Sequence, residues 1–192
     1  LGSLIATFIN QKNQVNNMKH FSKQVLLIFI FLIGISAALN AQNTTIWIVR
    51  HAEKDTSAAQ KRDPELTEIG KQRALDLAAY LKGQEPDMIF STNTKRTRQT
   101  AAHFTAKVNT YDPSLIKEFA QRLLDFQKGK KILIVGHSNT VLETIEALGG
   151  ARPVAQLTDD DYDYIFKITL SAEGGIVTKA DHYGAKHHIG NN

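Results

Sequence analysis

Three short apolar runs constrain this chain most, because each ends abruptly in polar residues. Thr45-Ile46-Trp47-Ile48-Val49 leads into Arg50-His51, Asp87-Met88-Ile89-Phe90 into Ser91-Thr92-Asn93-Thr94, and Lys131-Ile132-Leu133-Ile134-Val135 into Gly136-His137-Ser138-Asn139. Runs this short, rich in β-branched and aromatic residues, read as buried strands. The segments between them carry a helical period. Thr67 is placed to cap a helix running to about Lys82, with Ala74, Leu77, Ala78 and Leu81 on one face and Gly83 beyond its end. Further helices are expected over about Lys95–Lys107, over Pro113–Gln127 with Ile116, Phe119, Ala120 and Leu123 on one face, and from Asn139 to Leu148, where Gly149-Gly150 stops it. Tyr164–Leu170 and Ile176–His182 read as two strands joined by Ser171–Gly175. Strands alternating with helices define an α/β domain, a three-layer α/β/α sandwich around a mainly parallel central sheet.

The N-terminal region follows a different logic. Met18-Lys19-His20-Phe21-Ser22-Lys23 is basic, Val25–Leu39 is apolar, and Ala37-Ala38-Leu39-Asn40-Ala41 supplies small residues before the polar Gln42. That order is expected of a secretory signal peptide over 18–41, cleaved after Ala41, which makes the product an exported, periplasmic protein. The apolar run is shorter than the roughly 20 residues a spanning helix needs; an uncleaved anchor is the alternative. Residues 1–17 read as an upstream extension outside the fold, leaving a single domain over 42–192. The formal net charge of +4 comes largely from this leader. Removing Lys12, Lys19 and Lys23 from the 23 basic residues leaves 20 against 19 acidic ones, so the domain has no bulk charge suited to nucleic acid. The chain contains no cysteine, which excludes disulfides, thiolate metal sites and a cysteine nucleophile.

Ligands of α/β sheets bind beyond the carboxyl ends of the strands. Arg50-His51, Arg96 and His137 each follow one strand, so they are expected to meet at one edge of the sheet. Two arginines and two histidines suit a tetrahedral dianion: arginine forks match phosphate oxygens, a helix start near Arg96 adds N–H donors, and a neutral imidazole can attack phosphorus. The expected partner is therefore a small phosphorylated substrate or phosphate. Taken singly, none of these residues specifies this chemistry; the combination does.

Val49-Arg50-His51-Ala52 resembles the Arg-His-Gly signature of the histidine phosphatase superfamily, which includes the phosphoglycerate mutases. Leu66-Thr67-Glu68-Ile69-Gly70-Lys71-Gln72-Arg73-Ala74, the segment Ser91–Ala101 containing Arg96-Thr97-Arg98-Gln99-Thr100-Ala101, and Val135-Gly136-His137-Ser138 are similar to that superfamily's other motifs, in the same order. The resemblance implies a phosphoglycerate mutase-like fold, His51 as the residue that becomes phosphohistidine, and Arg50, Arg96 and His137 as phosphate ligands. It implies no metal and no organic cofactor. Ala52 departs from the usual glycine, and alanine disfavours a positive φ. Asp112 is the choice for the proton donor to the leaving oxygen, with Glu53 as the second candidate.

Other residues carry weaker expectations. Asn139 and Lys54 are candidates to touch substrate. His182, His187 and His188 with Asp181 could suggest a metal site, against which a solvated tail is the plainer reading. Asp159-Asp160-Asp161 and Asp163 lack the glycine and glutamate of a calcium loop and read as a polar turn. His103 reads as a structural helix residue. The expected activity is phosphomonoester hydrolysis. Alternatives are a phosphohistidine protein phosphatase, a mutase-type phosphotransferase, which an exported and short chain makes less suitable, and a non-catalytic phosphate-binding module.

Overall fold

The structure is a computed structural model that describes residues 42–57 and 62–188, with Lys23 and Val25. The extension expected over 1–17 and the signal peptide expected over 18–41 lie, those two positions apart, outside the described residues. Gln42–Asn192 forms a compact unit of its own. Among the described residues no helix is long and apolar enough to cross a membrane.

Six strands form one sheet: β1 (Thr44–Arg50), β2 (Met88–Ser91), β3 (Val108–Thr110), β4 (Lys131–Gly136), β5 (Tyr164–Leu170) and β6 (Ile176–His182). Their order is β3-β2-β4-β1-β5-β6. β1, β2, β3 and β4 pair in parallel, and β5 and β6 add an antiparallel ribbon on the β1 side. The helices described within Gln42–Asn192 are α1 (Glu68–Tyr80), α2 (Lys95–Thr100), α3 (Ile116–Phe126) and α4 (Val141–Ala147).

Both faces of the sheet are covered, which explains why its central strands are apolar throughout rather than alternating. Successive side chains point to opposite faces. Ile46 and Ile48 of β1 and Ile132 and Ile134 of β4 pack with Phe119, Ala120 and Leu123 of α3 and with Val141, Leu142 and Ile145 of α4. Trp47, Val49, Leu133 and Val135 face the other way, toward Leu77 of α1, Leu81 and Ala101. The three-layer sandwich is therefore two cores separated by one sheet.

Element boundaries match the sequence pattern except in one region. Thr67 caps α1 by accepting a hydrogen bond from Gly70 N. Asp112 caps a 3-10 turn at Pro113–Leu115 that runs into α3. The helix expected over Lys95–Lys107 ends at Thr100, and Val108–Thr110, which the sequence left unassigned, forms the edge strand β3. The cause is a change of period: Phe104, Ala106 and Val108 alternate as in extended chain and pack against the core beside α1. His103 accordingly lies exposed in a turn, not inside a helix.

Gly70 in α1 lies against the backbone of Glu53, whose carbonyl also accepts from Thr67 N at 2.9 Å. A Cβ there would collide with that carbonyl oxygen. Gly70→Ala is expected to destabilise by roughly 1–3 kcal/mol, lowering Tm by about 2–4 °C per kcal/mol. Thermal unfolding by circular dichroism checks this, and an unchanged Tm would show that the loop after β1 yields freely.

Candidate active site

The register of the parallel strands assembles the site. Arg50 lies opposite Gly136, and Ser91 opposite Val135. His51 N donates to Gly136 O at 2.9 Å, carrying the β1–β4 pairing one residue past the strand. The polar ends of β1, β4 and β2 thus lie side by side at strand spacing. Gly136 allows the tight exit from β4, since a Cβ there would sit 3.0 Å from both Thr140 Oγ1 and Tyr111 Oη.

His51 is buried, and its Nδ1 lies 2.8 Å from Ala52 O. A carbonyl only accepts, so Nδ1 carries the proton and Nε2 holds the lone pair. Burial above all, with Arg50, Arg96 and His137 adding to it against the Ala52 hydrogen bond, lowers the His51 pKa to about 3. The imidazole is therefore neutral at ordinary pH. Its ring centroid lies 5.3 Å from that of His137 in an edge-on arrangement.

His137 is held from both sides. Arg96 Nη2 donates to His137 Nδ1 at 3.4 Å, which leaves Nε2–H to donate to Thr92 Oγ1 at 2.8 Å. Burial, then Arg96, Arg50 and Lys54, lower its pKa to about 4. Lys54 thus lies near enough to act on the cluster by charge, whereas Asn139 is exposed in the turn after β4.

Arg50 is almost fully buried. It donates through Nη1 to Thr158 O at 2.7 Å and through Nη2 to Tyr162 Oη at 3.2 Å, with Asp159 Oδ1 at 3.4 Å. Its guanidinium carbon lies 4.0 Å from the Tyr162 ring centroid. Arg96 Nη1 faces Asp63 Oδ1 at 3.7 Å. The Nε–H groups of both arginines are buried and have no hydrogen-bond partner among the described residues. Unpartnered buried donors on two cations suit an anion able to accept from both.

The surrounding residues hold this geometry. Thr100 Oγ1 accepts from Ala52 N at 2.9 Å and donates to Arg96 O at 2.7 Å, and Gln99 Oε1 accepts from Leu66 N at 2.8 Å. Among the described residues no non-glycine residue has a positive φ; Ala52 is fully buried and needs no left-handed backbone.

The two expected proton donors are both committed elsewhere. Glu53 forms a buried ion pair with Arg73, whose Nη2 lies 2.7 Å from Oε1 and whose Nε donates to both carboxylate oxygens. Asp112 Oδ1 accepts from Ser114 N at 2.9 Å and Ser114 Oγ at 2.7 Å, and these bonds hold its exposed carboxyl below the usual range. Both carboxylates are thus engaged by partners outside the histidine cluster. Asp161 Oδ2 accepts from Thr158 N and Oγ1, so the acidic run is a turn that presents the Thr158 carbonyl to Arg50. Asp181 accepts from the Tyr80 hydroxyl at 2.6 Å and from His182 N at 2.8 Å, and it is Asp163 that lies against the imidazoles of His182 and His188. Sequence reasoning missed Tyr162 and Thr92, which become visible only once the 158–162 turn folds over Arg50 and β2 lies beside β4.

Residues 46–116 match the profile of the histidine phosphatase superfamily, branch 1. A search of curated protein sequences found no match. Several solved structures share the fold. A protein assigned as phosphohistidine phosphatase SixA from Nakamurella multipartitia superposes with a TM-score of 0.57 at 20% identity, covering 76% of this chain and 99% of its own. A phosphoserine phosphatase from Entamoeba histolytica, in complex with 3-phosphoglyceric acid, gives 0.57 at 20% identity over 75% and 98%. The protein histidine phosphatase SixA complexed with tungstate gives 0.56 at 20% identity over 72% and 95%.

The buried neutral histidines make a prediction about stability. In the unfolded chain both titrate near 6.5; folded, their pKa values are about 3 and about 4. Below pH 6.5 the unfolded state binds protons that the folded state does not, so these two residues withdraw stability as pH falls from 6.5 toward 3. Tm measured without phosphate is expected to drop across that window, and less steeply in His137→Gln. An identical pH profile for the variant would contradict the burial of a neutral His137.

Proposed function

We propose that the protein is a phosphatase that transfers a phosphoryl group to His51 and then to water. One observation carries this reading. A buried neutral imidazole, with its proton fixed on Nδ1 by Ala52 O, lies among two guanidinium groups that retain unpartnered buried N–H donors. The Nε2 lone pair forms a bond to phosphorus while the bond from phosphorus to the leaving atom breaks. Arg50, Arg96 and His137 hold the equatorial oxygens, where charge gathers in the transition state. The charge of the bound dianion favours a proton on His137, offsetting the burial and the neighbouring cations that keep it neutral. Water then attacks phosphorus, the N–P bond breaks, and neutral His51 returns. Thr92 and Tyr162 act as positioning residues, through His137 and Arg50.

The commitment of Glu53 and Asp112 favours a leaving group that departs with little help. Aryl phosphates meet that demand, and so does the N-phosphoryl group of phosphohistidine. This supports phosphohistidine protein phosphatase as the second reading, in keeping with the SixA proteins whose fold the chain shares. The leader pattern adds the proposal that the reaction takes place after export, outside the cytoplasm.

Purified protein is expected to hydrolyse p-nitrophenyl phosphate, with kcat reduced at least roughly 10³-fold in His51→Ala and roughly 10²–10³-fold in Arg96→Ala. Rapid acid-free quenching should trap phosphate on residue 51 of the wild type alone. Bound phosphate without turnover between pH 4 and 9 would sink the enzyme reading and leave a binding module. A panel of sugar phosphates, nucleotides, phosphopeptides and phosphohistidine then separates the two substrate readings by kcat/KM.

A further inference from the structure

Asp163 precedes β5, His182 ends β6, and His188 belongs to the segment that follows. We propose that these three residues bind a divalent transition-metal ion of the Zn2+ class, clipping the C-terminal segment to the β5–β6 hairpin. Asp163 is 1% exposed. Its Oδ2 accepts from His187 N at 3.0 Å and from His188 Nδ1 at 2.7 Å, but its Oδ1 is buried without a hydrogen-bond partner among the described residues. His182 Nδ1 approaches Oδ1 at 3.4 Å. The two imidazoles are stacked, with centroids 4.1 Å apart and planes inclined by 20°. One donor atom from each of the three residues lies within 4.8 Å of the others. Donors around one zinc ion stand at about 2.0–2.2 Å from it, so modest side-chain rotations gather this set.

The ligand chemistry selects the ion. Two imidazoles and one carboxylate suit zinc and its neighbours, whereas calcium and magnesium demand more oxygen. Three protein ligands leave a fourth position to water. The clip lies apart from the phosphate pocket yet joins its frame: Tyr162 adjoins Asp163, donates its N–H to His187 O at 3.0 Å, and lies over Arg50.

Calorimetric titration of chelator-treated protein with Zn2+ is expected to show one tight site per chain. Tm should rise by roughly 5–10 °C at a free concentration about a hundred times Kd, with no rise from Mg2+. The double variant His182→Ala/His188→Ala, which alters partly exposed side chains and whose fold is checked by circular dichroism, should lose both effects. Absence of Zn2+ uptake by the wild type would overturn the proposal. So would uptake that persists in this double variant and disappears in His51→Ala/His137→Ala, which would put the ion in the phosphate pocket.

Discussion

Crowded positive charge is the constraint on which this site depends. Two guanidinium groups and two imidazoles share the carboxyl edge of the sheet, largely out of water. Such a group of cations is tolerable only if some of its members give up their charge or an anion joins them. Without an anion the histidines are the ones that yield, since arginine stays protonated under any ordinary condition. The same crowding leaves His51 with a lone pair and leaves the arginines with donors to spare. The free lone pair and the spare donors therefore arise from one electrostatic cause.

Holding four mutually repelling groups in place requires a stiff frame, and the structure provides it mostly through main-chain and hydroxyl contacts. The β1–β4 ladder extends to His51, Thr100 ties the loop after β1 to α2, and Gln99 ties α2 to the residue before α1. Arg73 reaches from α1 to Glu53 and to the carbonyls of Tyr183 and Ala185, joining the loop after β1 to the chain beyond β6. On the far side of Arg50, the 158–161 turn supplies carbonyls rather than a strong counter-ion. That choice leaves much of the arginine's charge available to a ligand. The carboxylate of Asp159, which does face it, is open to solvent and is worth little there.

Much of this was legible in the sequence, for a definite reason. Short apolar strands that stop at Arg50, at Ser91 and at Gly136 say both where the sheet ends and what lies there, so the meeting of Arg50, His51, Arg96 and His137 follows from parallel pairing alone. Three features did not follow. The period change after Thr100 is spread over Phe104, Ala106 and Val108, too few residues to distinguish from a helix by pattern. Glu53 and Asp112 are acids of suitable type at suitable places, but a carboxylate's partner (Arg73 in one case, Ser114 in the other) is a matter of tertiary or local geometry that composition does not encode. Tyr162 matters because a turn folds back onto Arg50 across 112 residues of sequence.

The contact between His51 and its neighbour has a wider implication. The tautomer of the His51 ring is set by a peptide oxygen at position 52, not by any side chain. The methyl group of Ala52 is fully buried, and residue 52 needs no left-handed backbone. The instruction that fixes the imidazole's protons is thus written in the polypeptide backbone itself, so it does not depend on which side chain position 52 carries.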